Sequence, residues 1–412
     1  MEIIMLIKLA FRNIFRNFRR TFLTFIAIAV GLALMLMTDS LLQGIDAQSF
    51  AKIINYETGH VKIFSLGYQK DKDNLPLDKL ITEPGTIVGA LRREPEVAGV
   101  TSRINFRIML SDRIDEVPAI GVAVNPADDE SVFKLKQAVT QGQFLVGSEE
   151  AMLIGNKLAQ DFGVGVGDYL TILARTKYDT YQALDLRIKG ILRTEDPQID
   201  WYSVVIPLDL GRSSLDLKQG VTEIDIKLKN INEADNFKSK LAKEIPGLEI
   251  ATWKDLAEDV LAISKAKYTG SFVIFSAIVL ISLIGISNTI LMAAFERVKE
   301  IGMMGAMGMK RGEIVKLFVL EGTMIGLFGS ITGCLLGALL VGGWMVPFGI
   351  DFSQFMRQMG PIGYRTTGRF TGEWHLIMFP IAFIFGLIVS AVTSLYPAFV
   401  ASRMEPSEAL RK

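Results

Sequence analysis

Four long stretches of the chain contain no charged residue. They cover residues 21–38, 268–295, 322–350 and 376–402, and they hold 18, 28, 29 and 27 residues. A helix needs about 20 apolar residues to cross a bilayer, and a charge at the bilayer centre costs about 2.5–3.5 kcal/mol or more. The pattern therefore predicts four transmembrane helices, at residues 21–42, 268–295, 317–346 and 375–400, rather than buried helices of a soluble protein.

Residues 1–20 are predicted to form an amphipathic elbow helix before the first span. Apolar and basic side chains recur there on opposite faces of a helix, which suits a helix lying on the inner membrane surface. A plain extension of the first span is the open alternative. No A-x-A-like cleavage site follows the first run, so it is interpreted as an uncleaved anchor rather than a signal peptide. The apolar positions are Phe11, Ile14, Phe15, Phe18 and Phe22, and the basic ones are Arg12, Arg16 and Arg19.

Residues 43–267 have the pattern of a water-soluble domain. Alternating apolar and polar positions predict strands, and stretches with helical periodicity lie between them, so a mixed α+β domain is expected. The strand patterns are GHVKIFS, TSRINFRIML, DYLTILAR, LDLRIKGIL and TEIDIKLKN, and the helical ones are PGTIVGALRREP, NKLAQDFG, EADNFKSKLAKEIPG and WKDLAEDVLAISKAK. GVGVGD, at 163–168, is interpreted as a helix stop and a turn, not as a dinucleotide loop. No nucleophile elbow, H-E-x-x-H or calcium-loop pattern is present.

The distribution of lysine and arginine predicts the orientation of the spans. Basic residues cluster before the first span, in the loop 296–316 and at the C-terminus, whereas the loop 347–374 has few. Such residues favour the cytoplasmic side of a membrane. Both chain ends, including the tail 401–412, and the loop 296–316 are therefore predicted to be cytoplasmic. Residues 43–267 and 347–374 are then outside.

Composition narrows the chemistry further. The chain has 412 residues, half of them hydrophobic, a net charge of zero and a mean hydropathy of +0.34. A neutral chain offers no basic field for nucleic acid. The single cysteine, Cys334, excludes an internal disulfide and paired-cysteine zinc sites, and the two histidines, His60 and His375, give little support for a metal centre or a Ser-His-Asp triad. No catalytic residue and no metal site are predicted.

The loop 296–316 resembles a phosphate-binding loop at first sight. Its glycines Gly302, Gly305 and Gly308 precede Lys310 and Arg311. A Walker A loop needs G-x-x-x-x-G-K-[ST], and neither the spacing nor the final residue fits. The remaining interpretation is a short charged helix and turn that docks on a soluble cytoplasmic partner. A loop that only separates two spans is the open alternative.

The third span carries a stripe of small residues. Small residues three or four positions apart allow transmembrane helices to pack backbone to backbone. The sequence leaves open whether such packing occurs within one chain or between two copies. The stripe consists of Gly322, Gly326, Gly329, Gly333 and Gly337.

Several segments together resemble a known family. FRNIFRNFRRTFLTFIAIAVGLAL resembles an elbow helix and first span, and ETGHVKIFSLGY and AMLIGNKLAQDFGVGVGDYLTI resemble parts of a periplasmic domain. ERVKEIGMMGAMGMKRGEIVKLFVLEGTMIGLFGSITGCLLG resembles a coupling helix with the third span, and YPAFVASRMEPSEALRK resembles the C-terminal ending. In order along nearly the whole chain, these segments are similar to ABC transporter permeases of the lipoprotein-releasing (LolC/LolE-type) and MacB-type, FtsX-like family.

The resemblance implies a fold and a set of partners. It implies a membrane protein with four transmembrane α-helices, one before and three after a large MacB-like periplasmic α+β domain, in the bacterial inner (cytoplasmic) membrane. The permease would have no ATPase site of its own and would bind no cofactor directly. A cytoplasmic ABC ATPase dimer would use ATP and Mg²⁺, and a second copy or a sibling would complete a dimer. Membrane lipid, a lipoprotein substrate and a periplasmic acceptor or adaptor are the other expected partners, and nucleic acid is not one.

The resemblance also implies residue roles in a mechanism called mechanotransmission. ATPase closure would push on a coupling segment, and the outer domains would move to expel substrate. Substrate would enter from the outer leaflet between the first two spans. The implied coupling residues are Arg297, Lys299, Glu300, Gly302 and Gly305, and the implied substrate-lining residues are Leu34, Met37, Leu41, Tyr268, Phe272 and Phe275.

Three other functions are alternatives to lipoprotein release. A MacB-like efflux permease for drugs, peptides or lipids is the closest alternative. A membrane sensor would need a cytoplasmic output domain, and only ten residues follow from Arg403 onward. A secondary transporter would need ionisable or broken segments at mid-membrane and repeat symmetry, and the sequence shows neither.

Overall fold

The structure is a computed structural model that describes residues 3–16, 18–296, 298–352, 354 and 368–403. It divides the chain into two compact units. The helical unit comprises Met1–Asp46, Ser264–Phe352 and Arg369–Lys412, and the sheet unit comprises Ala47–Ile263 and Ser353–Gly368.

Long helices form in the helical unit because its long apolar runs contain no charged residue and little proline. Pro397 lies inside the last helix, and the helix continues past it. The α-helices in chain order are α1 (Ile3–Arg16), α2 (Phe18–Ile53), α3 (Pro84–Leu91), α4 (Pro126–Val132), α5 (Asn156–Phe162), α6 (Pro197–Tyr202), α7 (Leu208–Ser214), α8 (Ala234–Glu244), α9 (Trp253–Leu256), α10 (Glu258–Glu296), α11 (Val298–Ala306), α12 (Arg311–Leu340) and α13 (Met378–Ser402). Shorter π- or 3₁₀-helical turns cover Ile54–Thr58, Gln69–Asn74, Leu135–Ala138, Ile231–Glu233 and Val341–Met345.

Among the described residues, three helices are long and apolar enough to cross a membrane. They are Thr21–Thr58, Arg311–Met345 and Met378–Ser402. The predicted span 268–295 lies within α10, several of whose side chains are outside the described set. The count of four spans therefore stays a prediction, as do the domain boundaries proposed from sequence.

The sheet unit is built on a ten-stranded mixed sheet. Its strands are β1 (Val61–Ser65), β2 (Val97–Ser111), β3 (Glu116–Val124), β4 (Val139–Gly142), β5 (Ala151–Gly155), β6 (Tyr169–Arg175), β7 (Tyr181–Leu192), β8 (Ser203–Pro207), β9 (Glu223–Leu228) and β10 (Leu248–Thr252). The order is β10-β1-β9-β2-β3-β8-β5-β7-β4, and β6 pairs with both β2 and β7. These pairings close a ring of six strands, β2-β3-β8-β5-β7-β6, from which β9, β1 and β10 extend. A two-residue pair, β11 (Ile350–Asp351) and β12 (Arg369–Phe370), follows α12.

The long strand β2 holds the ring and the extension together. Its first half pairs with β9, from Val97 to Arg103, and its second half pairs with β6, from Ile108 to Ser111. Phe106 lies opposite Gly121 of β3, and a Cβ at Gly121 would lie 2.6 Å from a ring carbon of Phe106. The glycine therefore leaves the space that the buried aromatic ring fills.

Side-chain alternation gives the strands that extend from the ring, β9, β1 and β10, one apolar and one charged face. Ile63, Ile224 and Ile104 are fully buried on the apolar face. On the other face the Lys62 ammonium lies 2.7 Å from a Glu223 carboxylate oxygen and 3.1 Å from Asp225, and all three side chains are buried. A buried charge is tolerated only when it is paired, so these strands depend on the ion pairs between them.

Two groups of the sheet unit have displaced pKa values. Burial, aided by the nearby Glu223 charge, raises the pKa of Asp225 to about 7. Burial and the Lys227 charge lower the pKa of His60 to about 4, and its Nδ1 accepts a hydrogen bond from the backbone N–H of Leu228 at 3.1 Å. At neutral pH the His60 ring is therefore uncharged, and burial makes the Asp225 carboxyl easier to protonate than an exposed one.

The predicted strands and helices of residues 43–267 coincide with elements of the sheet unit. The five strand patterns fall on β1, β2, β6, β7 and β9, and the helical patterns fall on α3, α5, α8, and α9 with the start of α10. GVGVGD ends α5 with Gly163 in the left-handed region, φ +67°, and turns at Gly167 before β6. Strands β3, β4, β5, β8 and β10 were not predicted.

Candidate functional site

The loop between α10 and α12 folds as a short helix, α11, followed by a turn. Ile301 and Gly302 are buried, and Ile301 belongs to an apolar cluster with Ile314 and Phe318 of α12. Burial of one face fixes the orientation of α11 on the helical unit. The opposite face is left for solvent or for a partner.

The turn after α11 is defined by a glycine and a helix cap. Gly308 has φ +95°, a conformation that side-chain-bearing residues rarely adopt. A Glu313 carboxylate oxygen then accepts a hydrogen bond from the backbone N–H of Lys310 at 2.9 Å, at the start of α12. Such a cap satisfies a backbone donor that the helix leaves unpaired. Gly308 and Glu313 thus determine where α11 ends and α12 begins.

The implied coupling residues occupy different environments on α11. Lys299 is exposed, Glu300 is half-buried and Gly302 is buried. Gly305 lies in the last turn of the helix, and Arg297 lies outside the described residues. Their role in coupling stays a prediction.

Two methionines that are not among the implied coupling residues extend the exposed face of α11. Met303 is 50% exposed and Met307 is 80% exposed. They follow Lys299 at intervals of four residues, so helical spacing was the signal that could have identified them. Methionine is flexible and polarizable and adapts to protein surfaces. Met307 lies in the turn directly after α11, and Lys299, Met303 and Met307 are called the exposed stripe of α11 below.

The glycine stripe of α12 faces two neighbouring helices of the same chain. An added Cβ at Gly329 would lie 2.9 Å from Ile28, one at Gly333 would lie 2.9 Å from Leu32, and one at Gly337 would lie 2.6 Å from Leu36. These three glycines therefore allow α2 to approach α12 closely. Gly322 is also buried in α12.

The remaining glycine of the stripe, Gly326, faces α13. Its Cβ position lies 2.5 Å from the Ser390 Oγ, and the Cβ position of Gly386 on α13 is occupied in turn by the Ser330 hydroxyl of α12. At each of these two contacts a glycine of one helix packs against a serine of the other. The two contacts are four residues apart on each helix. This is the small-residue packing expected of helices that approach each other closely.

A cavity of about 640 Å³ lies within the helical unit, between α2, α10 and α13. This volume is in the range of pockets that hold small ligands, roughly 300–1,000 Å³. Its lining is mostly apolar, including Ile28 and Met35 of α2, Phe272 and Phe275 of α10, and Ile381 of α13. The cavity therefore suits a hydrocarbon chain or another apolar group.

Polar contacts join the three helices near one end of the cavity. The Asp39 Oδ2 lies 2.8 Å from the Nδ1 of His375, which precedes α13. Asp46, seven residues further along α2, accepts hydrogen bonds from the Lys267 ammonium and the Ser264 hydroxyl of α10. A spacing of seven residues places Asp39 and Asp46 on one face of α2.

The predicted substrate-lining residues divide into two groups. Tyr268, Phe272 and Phe275 line the cavity. Leu34, Met37 and Leu41 lie on α2 but are not part of the lining, which is formed by other residues of this helix. The lining residues of α2 are Ala27, Ile28, Gly31, Leu32, Met35, Asp39 and Leu42.

Fold and site define a class: a membrane protein with several apolar helices and a large α+β domain between the first two long ones. The family model of the MacB-like periplasmic core domain matches residues 21–244, and that of the FtsX-like permease C-terminal domain matches residues 272–406. The chain therefore belongs to the FtsX-like permeases that carry a MacB-like periplasmic core domain.

Curated relatives agree with this assignment. The lipoprotein-releasing system transmembrane protein LolC of Neisseria meningitidis is 23% identical over 97% of this chain and 95% of the relative. LolC of Xylella fastidiosa (strain 9a5c) is 24% identical over 77% of this chain and 78% of the relative. The macrolide export ATP-binding/permease protein MacB of Pasteurella multocida is 23% identical over 98% of this chain but only 59% of that longer protein. The similarity thus identifies an ABC transporter permease of the LolC/LolE and MacB type.

Proposed function

We propose that this chain is the permease subunit of an ABC transporter that releases lipoproteins from the bacterial inner membrane. A separate cytoplasmic ATPase dimer binds and hydrolyses ATP with Mg²⁺, and this chain pairs with a second copy or a sibling permease. The helical unit lies in the membrane and the sheet unit in the periplasm. A periplasmic acceptor or adaptor receives the released lipoprotein.

The apolar cavity between α2, α10 and α13 is the observation that carries this proposal. A lipoprotein leaves a membrane only if its acyl chains find another apolar environment, because each buried CH₂ group contributes about 0.8 kcal/mol to anchoring. The cavity offers such an environment beside Phe272 and Phe275. The end-to-end similarity to a lipoprotein-releasing protein, over 95% of that relative, supports the same substrate class.

The exposed stripe of α11 is proposed to receive the mechanical input. Lys299 offers a charge and Met303 and Met307 offer an adaptable apolar surface to a cytoplasmic ATPase. Because Ile301 is packed against α12 and α13, a displacement of α11 is resisted by the packed helices and is passed on to them. α2 and α10 each contribute residues to both the helical and the sheet unit, so both helices can carry the movement onward.

Export of small molecules is the second candidate function. The similarity to a macrolide export protein covers 98% of this chain, and the cavity volume is within the range of small-ligand pockets. An efflux permease would use the same coupling route with a different substrate.

A cavity-filling substitution tests the proposed function. Gly31 lines the cavity and has nothing within 4 Å of its Cβ position, so the Cβ of Gly31→Phe is accommodated and its ring is expected to occupy the cavity. Gly270→Phe is the matched control, because Gly270 also has open space but is not part of the lining. The permease, purified with its co-eluting ATPase, is reconstituted in liposomes that contain a fluorescent acylated protein.

Release of that acylated protein to a soluble acceptor after ATP addition is the measurement. We expect the wild type and Gly270→Phe to release it and Gly31→Phe to release at least tenfold less. Equal release by both variants would remove the cavity from the mechanism. ATP-dependent movement of a macrolide with no release of acylated protein would favour efflux.

A further inference from the structure

One carboxylate contributes to the lining of the apolar cavity. Asp39 is 9% exposed and belongs to the lining, and its Oδ2 is bonded to His375. Among the described residues His375 is the one hydrogen-bond partner of the Asp39 side chain, so none of them bonds to the second carboxylate oxygen, Oδ1. The cavity lining thus includes a carboxylate with one oxygen that the described protein residues leave unbonded.

The neighbouring acidic residue provides a contrast on the same helix face. Asp46 uses both carboxylate oxygens, one with Lys267 and one with Ser264, and its side chain is 10% exposed. Asp46 is therefore fully partnered by α10. Asp39 is about as buried, but its one side-chain hydrogen bond within the described part of the chain is to an imidazole that is itself 35% exposed.

A half-partnered carboxylate in an apolar site is costly. An ionised group that loses water must regain hydrogen bonds or an opposite charge, or the free energy of the site rises by several kcal/mol. A ligand whose apolar part fills the cavity excludes water from Asp39. The free oxygen then requires a donor from the ligand itself, and a cationic nitrogen is the donor that also balances the charge.

We propose that Asp39 is a specificity-determining residue that recognises a cationic nitrogen in the head of an amphiphilic ligand. The hydrocarbon part of the ligand lies along Phe272 and Phe275, and the nitrogen bonds to the Oδ1 of Asp39. This inference rests on the proposed function, because it uses the same cavity. It adds a rule of selection: amphiphiles with a cationic head bind more tightly than neutral ones with the same chain.

Two probes that differ in one charge test this rule. Nα-palmitoyl-lysine amide carries an ammonium group, and its Nε-acetylated form is neutral and otherwise closely similar. The full chain is placed in nanodiscs of phosphatidylcholine, which has no primary amine, and each probe is titrated against a bound fluorescent fatty acid. Hydrogen bonds to charged groups lead us to expect about 10- to 100-fold tighter binding of the charged probe to the wild type.

Asp39→Asn is the informative variant, since the amide keeps the shape of the side chain and an oxygen for His375. We expect its preference for the charged probe to fall to within about threefold, while its affinity for the neutral probe stays unchanged. The neutral probe therefore reports whether the cavity has folded. Glu373→Gln is the control: it removes an equal charge from an exposed position of the helical unit that is not in the lining, and the preference should persist.

Equal affinity of the two probes for the wild type would overturn the inference and leave the proposed function standing. An undiminished preference in Asp39→Asn would overturn it as well. If neither probe binds, the cavity has no part in the proposed function and the inference fails with it. Adding phosphatidylethanolamine or phosphatidylglycerol to the nanodiscs distinguishes the sources: competition by the ethanolamine lipid alone supports a bilayer lipid, and no competition by either supports an acylated polypeptide.

Discussion

Replacement of Gly326 by alanine is a direct test of the packing between α12 and α13. The new Cβ would lie 2.5 Å from the Ser390 Oγ and still closer to the Ser390 Cβ. The Cβ of a serine is fixed by its own backbone, so a rotamer change cannot relieve this contact. Carbon atoms pack at about 3.5–4.0 Å, and the two helices must therefore separate by about 1 Å.

The cost follows from the effect of overpacking on a close-packed interior. An extra methyl group forced into such a site typically costs about 1–3 kcal/mol. For a unit of this size, that corresponds to a fall in melting temperature of about 2–12 °C. Gly270→Ala is the matched control, since Gly270 also lies inside a long helix but has nothing within 4 Å of its Cβ position.

Thermal unfolding in detergent, followed by size-exclusion chromatography with fluorescence detection, measures the difference. We expect Gly326→Ala to melt below the wild type and Gly270→Ala to melt at the same temperature or above it. The double variant Gly326→Ala/Ser390→Gly removes the obstructing atoms and should recover most of the loss. A Gly326→Ala protein as stable as the wild type would refute the close contact, and a double variant no better than the single one would refute its cause.

Three further predictions concern coupling and the sheet unit. Glu300→Lys should abolish stimulation of the partner ATPase while membrane insertion stays intact. The same charge reversal at Glu373 should leave the stimulation unchanged. ATP turnover of the co-purified complexes is the measurement, and full stimulation in Glu300→Lys would contradict the docking role. The pKa of Asp225, raised to about 7 from 3.8, means that the folded chain holds a proton that the unfolded chain has lost, so the contribution of this group to stability falls as pH rises from about 4 to 7. Asp225→Asn should therefore have a higher melting temperature than the wild type at pH 8, and its melting temperature should change less between pH 5 and 8. An unaltered dependence of melting temperature on pH would exclude this carboxyl as its source. Lys62→Met leaves two buried acidic side chains without the cation that pairs with both and should cost about 3–5 kcal/mol, whereas Lys79→Met at an exposed ion pair should have little effect. Comparable denaturation midpoints of the two variants would argue against a structural role of the buried pairs.

Local patterns were sufficient wherever one face of an element is apolar and the other polar. The alternation in TEIDIKLKN predicted β9, because Ile224 and Ile226 are on one side and Asp225 is on the other. The helix stop at Gly163 was predictable for a similar reason, since glycine enters the left-handed region without steric cost. Such signals depend on neighbours within a few residues, and the sequence contains them directly.

Two of the strands that escaped prediction, β5 and β8, have no alternation to detect. All five residues of β5 are buried, as are all five residues of β8. A strand that is covered on both faces is a short apolar run, which periodicity cannot distinguish from part of a helix. The closure of the six-stranded ring depends on β5 and β8, so the sequence could not reveal it.

The sequence by itself determined which segments are apolar, which alternate and where small residues recur. Only the tertiary structure decided how the glycines of α12 are divided, with Gly326 toward α13 and Gly333 toward α2. It also decided which side of α2 lines the cavity, so that Met35 and Asp39 belong to the lining and Met37 does not. The physical reason is that a sequence specifies the spacing of residues around a helix, whereas the direction each one faces depends on the helices packed beside it.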